Sequence, residues 1–195
     1  MFLLGMGGII GIIIAAVVII ALIAWIVINY NTLVKLRNKV KNGFSQIDVQ
    51  LQRRFDLIPN LVETTKGFAK HESGIWEEFA KARSLYDRAR AGSDVEGMAG
   101  ADRGLSAALG KLMVVTENYP ELKANFNFQE VMRQLQDTEN KISYARQFYN
   151  DIVQKYNDKT ELFPSNIIAG MFNFEQAKFF EVDVPEARKG VKVEF

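Results

Sequence analysis

The first 28 residues, Met1 to Ile28, contain no charged or strongly polar side chain, and Lys35 is the first charge in the chain. A helix needs about 20 apolar residues to cross the hydrocarbon core of a bilayer. The run MFLLGMGGIIGIIIAAVVIIALIAWIVI is therefore expected to form a transmembrane helix. A secretory signal would have a charged start, a shorter apolar stretch and a small-residue cleavage site. This run has no Lys or Arg before it and ends in Trp25-Ile-Val-Ile28, so an uncleaved anchor is the expectation.

The flank sets the orientation. Lys35, Arg37, Lys39 and Lys41 follow the anchor, and no acid appears before Asp48. Positive charge beside a span marks its cytoplasmic side. The N-terminus is expected outside, and residues after the anchor at the cytoplasmic face of the cell (inner) membrane. The same four cations are candidate contacts for anionic headgroups. Within the anchor, Gly7, Gly11 and Ala15 recur every four residues. They share one helix face, and small residues on such a face allow close helix packing in the bilayer.

Residues 35–71 hold eight Lys/Arg against three Asp/Glu, whereas the whole chain has a net charge of only +1. The membrane-proximal part is basic and the remainder acidic. That distribution fits a lipid neighbour and argues against a nucleic-acid binder, which concentrates its basic surface. There is no cysteine, which removes disulfides, thiol catalysis and cysteine metal sites.

Beyond the anchor the pattern is helical. Val40, Phe44, Ile47, Leu51, Phe55, Ile58 and Val62 recur in steps of three and four, and nothing breaks the chain between Ile28 and Val40. The anchor is expected to run on into this helix as one rod, longer than about 60 Å at 1.5 Å per residue. Pro59 should kink it or cost one hydrogen bond. A turn is expected at His71–Gly74. A second helix follows, with Ile75, Phe79, Ala82 and Tyr86 on one face. Ala91–Gly100 reads as a glycine-rich loop, and a third helix carries Leu105, Ala108, Leu112 and Val115 up to Pro120.

The fourth helix starts at a capping-box-like Asn127/Glu130. It carries Phe128, Val131, Leu135, Thr138, Ile142, Ala145, Tyr149, Ile152 and Tyr156 in alternating steps of three and four. That is a heptad seam of the coiled-coil kind, suited to near-antiparallel packing, and Pro164 should end it. The expected fold is all-α: an N-terminal transmembrane helix (1–28), an antiparallel four-helix bundle (29–163) and a short extended, β-like tail (164–195). In the tail, Phe180–Val184 and Val191–Phe195 alternate as two short strands would.

The motif search finds no catalytic centre. His71-Glu72 begins like H-E-x-x-H, but Ile75 stands where the second His belongs, and the chain has one histidine. Gly104–Lys111 imitates a phosphate loop with the wrong spacing, and Leu112 replaces the magnesium-binding hydroxyl. No G-x-S-x-G elbow occurs. A di-iron bundle needs paired Glu-x-x-His motifs, which one histidine forbids. No enzyme activity, cofactor or metal is expected. The candidate contact residues are instead polar groups interleaved with the apolar seams: Arg53, Arg54 and Asp56 on the first helix, and Glu139, Asn140, Arg146 and Asn150 on the fourth. They read either as a register-fixing polar seam or as a groove for a peptide or small ligand.

The strings Tyr30–Val40, IDVQLQRRFDLIPNLVETTKGFAKHE from Ile47 to Glu72, Glu117–Asn125, Glu139–Asn150 and Tyr156-Asn157 leading to Phe163-Pro164 resemble the LemA family. The resemblance implies a bacterial membrane-anchored four-helix bundle with a short external N-terminus. It offers no catalytic residues. It also implies a membrane zinc metalloprotease as a candidate partner, and a relative takes part in forming magnetosome membranes. The leading expectation is a non-enzymatic, self-associating scaffold, a homo-oligomer that organises lipid or partner proteins. The alternative is a sensor or adaptor bundle that binds a peptide or small ligand, linked to membrane protein quality control.

Overall fold

The computed structural model describes residues 6–67 and 73–181, and all regular secondary structure among them is helical. Helix α1 spans Met6–Asp56, so apolar anchor and first amphipathic segment form one uninterrupted helix of 51 residues. Pro59 acts as expected. Its ring nitrogen cannot donate, the helix breaks at Leu57, and α2 (Ile58–Thr65) restarts with the proline in its first turn.

Helices α3 (Ser73–Ala91) and α4 (Val95–Thr116) follow. Ser73 and Gly74, expected in a turn, already belong to α3, while His71 and Glu72 lie outside the described residues. The glycine-rich stretch needs a larger correction. Only Gly92–Asp94 is a turn, and Val95–Gly100 is helical. The turn closes with the Asp94 N–H donating to the Ala89 carbonyl and Ser93 N–H to that of Arg90, Ser93 taking a positive φ of 51°. The glycines serve packing instead. A Cβ on Gly97 would sit 2.8 Å from the Ala89 Cβ, one on Gly100 3.6 Å from Leu85, and one on Gly104 3.5 Å from Ala82. Spaced by three and four, they let α4 lie close against α3, and that proximity with the burial of Met98, Ala99 and Ala101 outweighs the low helix propensity of glycine.

Pro120 stops α4 short and opens the single-turn α5 (Pro120–Lys123). Helix α6 (Phe126–Glu161) begins one residue before the expected Asn127. Its first N–H groups are satisfied by Asn125, whose Oδ1 accepts from Asn127 and Phe128 at 2.9 and 3.2 Å. The heptad seam is buried from Phe128 to Tyr156, with only Ala145 half-buried. After the cis Phe163-Pro164 bond comes α7 (Ser165–Met171), where the sequence pattern gave an extended tail. It closes with the same hydrogen-bond pattern as α3: Phe174 N–H to Ala169, Asn173 N–H to Gly170, and Asn173 at φ 51°. Residues 174–181 have no regular structure. The two expected strands lie outside the described residues apart from Phe180 and Glu181.

The chain divides into two compact units. One holds the chain up to Asn42 with Asp151–Ala177, the other Gly43–Asn150 with the chain from Lys178 on. In the first unit, Ile9 to Ile23 leave most of their side chains uncovered, and the span-length apolar window has a mean hydropathy of 3.3 with none of it buried. In the second, Ile47, Leu51, Phe55, Leu61, Tyr86, Leu105 and Leu112 are fully enclosed.

Candidate functional site

The most unusual chemistry of the second unit is a buried charge cluster. Arg54 lies between Leu51 and Phe55 on the inward face of α1 and is 3% exposed. Asp102 on α4, flanked by Ala101 and Leu105, is 2% exposed. The Arg54 Nη1 donates to Asp102 Oδ1 at 2.6 Å. The same nitrogen is 2.5 Å from Glu139 Oε2 on α6, but outside hydrogen-bond geometry, so that contact is Coulombic. Arg146, nearly two turns further along α6, brings Nη1 to 3.9 Å from the other Asp102 oxygen.

Two cations and two anions thus meet where α1, α4 and α6 converge. Burial pushes the Asp102 carboxyl above its ordinary range. Arg54 pulls it down, Glu139 adds to the rise, and Arg146 opposes it more weakly. Such a cluster is a poor source of net stability, because desolvation offsets the attraction, but removing one partner leaves a buried charge uncompensated. Its structural effect is to fix one register among three helices. The Arg54 Nε remains buried with no acceptor among the described residues. Beside it opens a cleft of about 320 Å³, lined by Arg54, Glu139, Gln136, Leu109, Met113 and Met132 among others.

A second polar centre joins α1 to α3. Tyr86 stacks on Phe55 with ring centroids 4.6 Å apart, and its hydroxyl donates to the Asp48 carboxylate at 2.9 Å. Burial, then the Asp48 hydrogen bond and charge, push the Tyr86 hydroxyl well above its ordinary range. Arg90 holds the other Asp48 oxygen at 3.2 Å, and Arg83 pairs with Asp56 at 3.0 Å. Beside these lies a groove of about 800 Å³. Phe55, Pro59, Val62, Trp76 and Phe79 form its apolar lining, with Asp56, Glu63, Lys66 and Arg83 as its charged residues.

The third arrangement is a pair of clamps on the extended tail. In the second unit, the Asn150 side-chain amide donates to the Phe180 carbonyl and accepts from the Phe180 N–H, at 3.2 and 2.9 Å. Tyr149 donates to the Lys178 carbonyl at 2.7 Å, and burial pushes its hydroxyl up to about 12. In the first unit, Asn157 treats Ala177 the same way at 2.9 Å for both bonds, and Tyr156 donates to the Glu175 carbonyl at 2.8 Å. Seven helical residues rise about 10.5 Å and three extended residues span about 10 Å. The Tyr-Asn pair can therefore repeat at heptad spacing and meet every third residue of an extended chain.

The seven polar residues singled out from the sequence separate into distinct environments. Arg54, Glu139 and Arg146 meet at Asp102. Asn150 holds the tail. Arg53 and Asn140 are exposed, and Asp56 pairs with Arg83 at the surface. Lys35, Arg37, Lys39 and Lys41 are all exposed on α1, and the Arg37 guanidinium lies 5.0 Å above the Phe174 ring. Gly7, Gly11 and Ala15 lie in α1. Ala15 is exposed, and a Cβ on Gly11 would meet nothing within 4 Å. Sequence reasoning missed Asp102, which stands 48 residues from its partner inside the tract read as leading out of a loop. The signal for it was the Gly97/Gly100/Gly104 spacing, which marks a helix.

These features define a class: a helical protein with one N-terminal helix long and apolar enough to cross a membrane, and a packed helical part ordered by buried polar contacts. The chain belongs to the LemA family, whose family model matches residues 43–195. It is similar to magnetosome proteins MamQ 1 and MamQ 2 of Paramagnetospirillum magneticum (strain ATCC 700264 / AMB-1), each 27% identical, the match covering 87% of this chain and 71% of the relative. The magnetosome protein MamQ of Magnetospirillum gryphiswaldense is 25% identical, over 83% of this chain and 68% of the relative.

Proposed function

We propose that this chain is a non-enzymatic membrane scaffold. Its apolar span sits in the bacterial inner membrane with the N-terminus outside. Its packed helices form an antiparallel four-helix bundle at the cytoplasmic face, and copies associate there to organise lipid or partner proteins. The observation that carries the reading is the exposed apolar sheath of α1 from Ile9 to Ile23, in a helix that is otherwise committed to a packed core from Ile47 on. Gly7, Gly11 and Ala15 supply a face on which spans pack, and Lys35, Arg37, Lys39 and Lys41 meet the headgroups. Shared residence in one membrane turns weak contacts into avid ones. The relatives' name, magnetosome protein, is compatible with an assembly role and assigns no chemistry.

The test is the mass of the detergent-extracted full chain against a chain lacking residues 1–28. A large particle for the first and a monomer for the second are expected; monomers in both end the scaffold reading.

One observation favours a second reading, that of an adaptor. The groove over Phe55, Trp76 and Phe79 is of a size for a short peptide, and Trp76 lines it. Titration with a membrane metalloprotease's cytoplasmic segments should then shift Trp76 emission, and an unchanged spectrum at saturating peptide counts against it.

A further inference from the structure

The first unit carries apolar surface that the span does not explain. Between Leu162 and Phe174 the chain, LFPSNIIAGMFNF, has no charged residue. Helix α7 buries Ser165, Ile168 and Ala169 and turns the other way with Ile167 and Met171, one turn apart. Phe163 is 80% exposed, Met171 65% and Leu162 62%, and Ile167 and Phe172 are about half exposed. Five large apolar side chains within eleven residues, uncovered together, mark an interaction surface and not scattered surface leucines.

Its position identifies the occupant. Phe172 packs on Tyr30 with ring centroids 4.7 Å apart, and Phe174 on the same ring at 5.7 Å. Tyr30 follows the last residue of the apolar run by two positions, at the level where hydrocarbon gives way to headgroups. Tyrosine favours that level. On the same helix, beginning five residues later, stand the exposed Lys35, Arg37, Lys39 and Lys41. An apolar patch joined to the end of a span and followed by cations has the composition of an interfacial element, which sinks its apolar face about 5–10 Å into the headgroup and acyl boundary.

We propose that residues 162–172 form a second membrane contact, an interfacial foot whose partner is the anionic lipid surface beside the span. Phe163, Ile167 and Met171 enter the boundary, and Ser165, Ile168 and Ala169 hold α7 to the protein. The inference rests on the membrane-anchored reading above. The foot would fix the depth and tilt at which α1 leaves the bilayer, which a single helix does not fix by itself.

The chain has no native cysteine, so single cysteines can be placed at Val18, Val114, Phe163 and Met171 and spin-labelled. All four positions are exposed, so folding should be retained. The full-length variants are reconstituted into phosphatidylcholine/phosphatidylglycerol vesicles, and label accessibility to oxygen and to a water-soluble nickel chelate is measured. The expected result is oxygen-dominated accessibility at 18, an intermediate headgroup-level balance at 163 and 171, and chelate-dominated accessibility at 114. If 163 and 171 match 114 while 18 stays in lipid, the foot is overturned and the anchor stands. If 163 and 171 are shielded from both reagents, the patch is covered by protein and the lipid assignment is overturned. If 18 is itself open to the chelate, the anchored reading falls, and the foot with it.

Discussion

The two compact units of this chain treat the same residue types in opposite ways. In the first, isoleucines and valines from Ile9 to Ile23 face outward with half or more of each side chain uncovered. In the second, Ile47, Leu51 and Phe55, on the same helix, are fully enclosed, and charged side chains such as Arg83 and Lys111 take the surface. Composition alone does not separate them. What separates them is the period of the pattern: an apolar residue at nearly every position needs an apolar solvent all round, and one at every third or fourth position needs an apolar partner on one side.

The comparison can be broken by substitutions that are chemically alike in the two units. The largest effect should come from Arg54→Ala in the second unit. It leaves Asp102 buried without its main counter-charge, and a loss of about 3–5 kcal/mol is expected from thermal or denaturant unfolding. The pH dependence has a definite sign. The folded pKa of Asp102 is raised by burial, so the folded state binds more protons than the unfolded state between the ordinary carboxylate pKa and the raised one. Stability therefore falls as pH rises through that window. Removing Arg54 raises the folded value further, so the variant should regain part of its lost stability on acidification. A loss unchanged down to pH 4 would contradict the assignment.

Leu51→Ala, in the same unit, should cost about 3 kcal/mol through its cavity. Ile13→Ala, also on α1, should leave the unfolding of the second unit unchanged, since its side chain is more than half exposed in the first unit. Equal losses would erase the distinction between the units. Asn150→Ala removes both bonds to Phe180 and should cost about 1–2 kcal/mol. Asn157→Ala tests the corresponding clamp of the first unit, and hydrogen exchange at the Ala177 amide should rise with it. Among the substitutions within the second unit, the smallest effect belongs to Arg83→Ala. Its pairs with Asp56 and Asp87 are solvent-exposed, so the change should stay within about 1 kcal/mol and fade in high salt.

Much of the fold was legible because local rules agreed with packing. The α1 and α6 seams, the break at Pro59 and the stop before Pro120 follow from spacing and proline chemistry. The misreadings share one cause: a local signal overridden by a partner far along the chain. Glycines at 97 and 100 read as a loop until Ala89 and Leu85 are set against them. Helix α7 is too short for periodicity to declare it, and Pro164 reads as an ending. The polar seam was legible as a set of residues but not as separate sites, because Arg54 faces inward and Arg53 outward through one residue's rotation. Asp102 could not be paired with Arg54 by any spacing rule. The Tyr149-Asn150 and Tyr156-Asn157 repeat was visible at heptad spacing, but its extended ligand carries no pattern that names it.

The central claim is that the apolar run of α1 in the first unit is solvated by lipid and the second unit by water. The chain holds one tryptophan in each, Trp25 near the end of the apolar run and Trp76 in the groove of the second unit. Full-length Trp76→Phe and Trp25→Phe variants in vesicles containing acyl-brominated lipid separate the two reporters. The account predicts strong quenching of Trp25 and none of Trp76; equal quenching of both, or of neither, would contradict it.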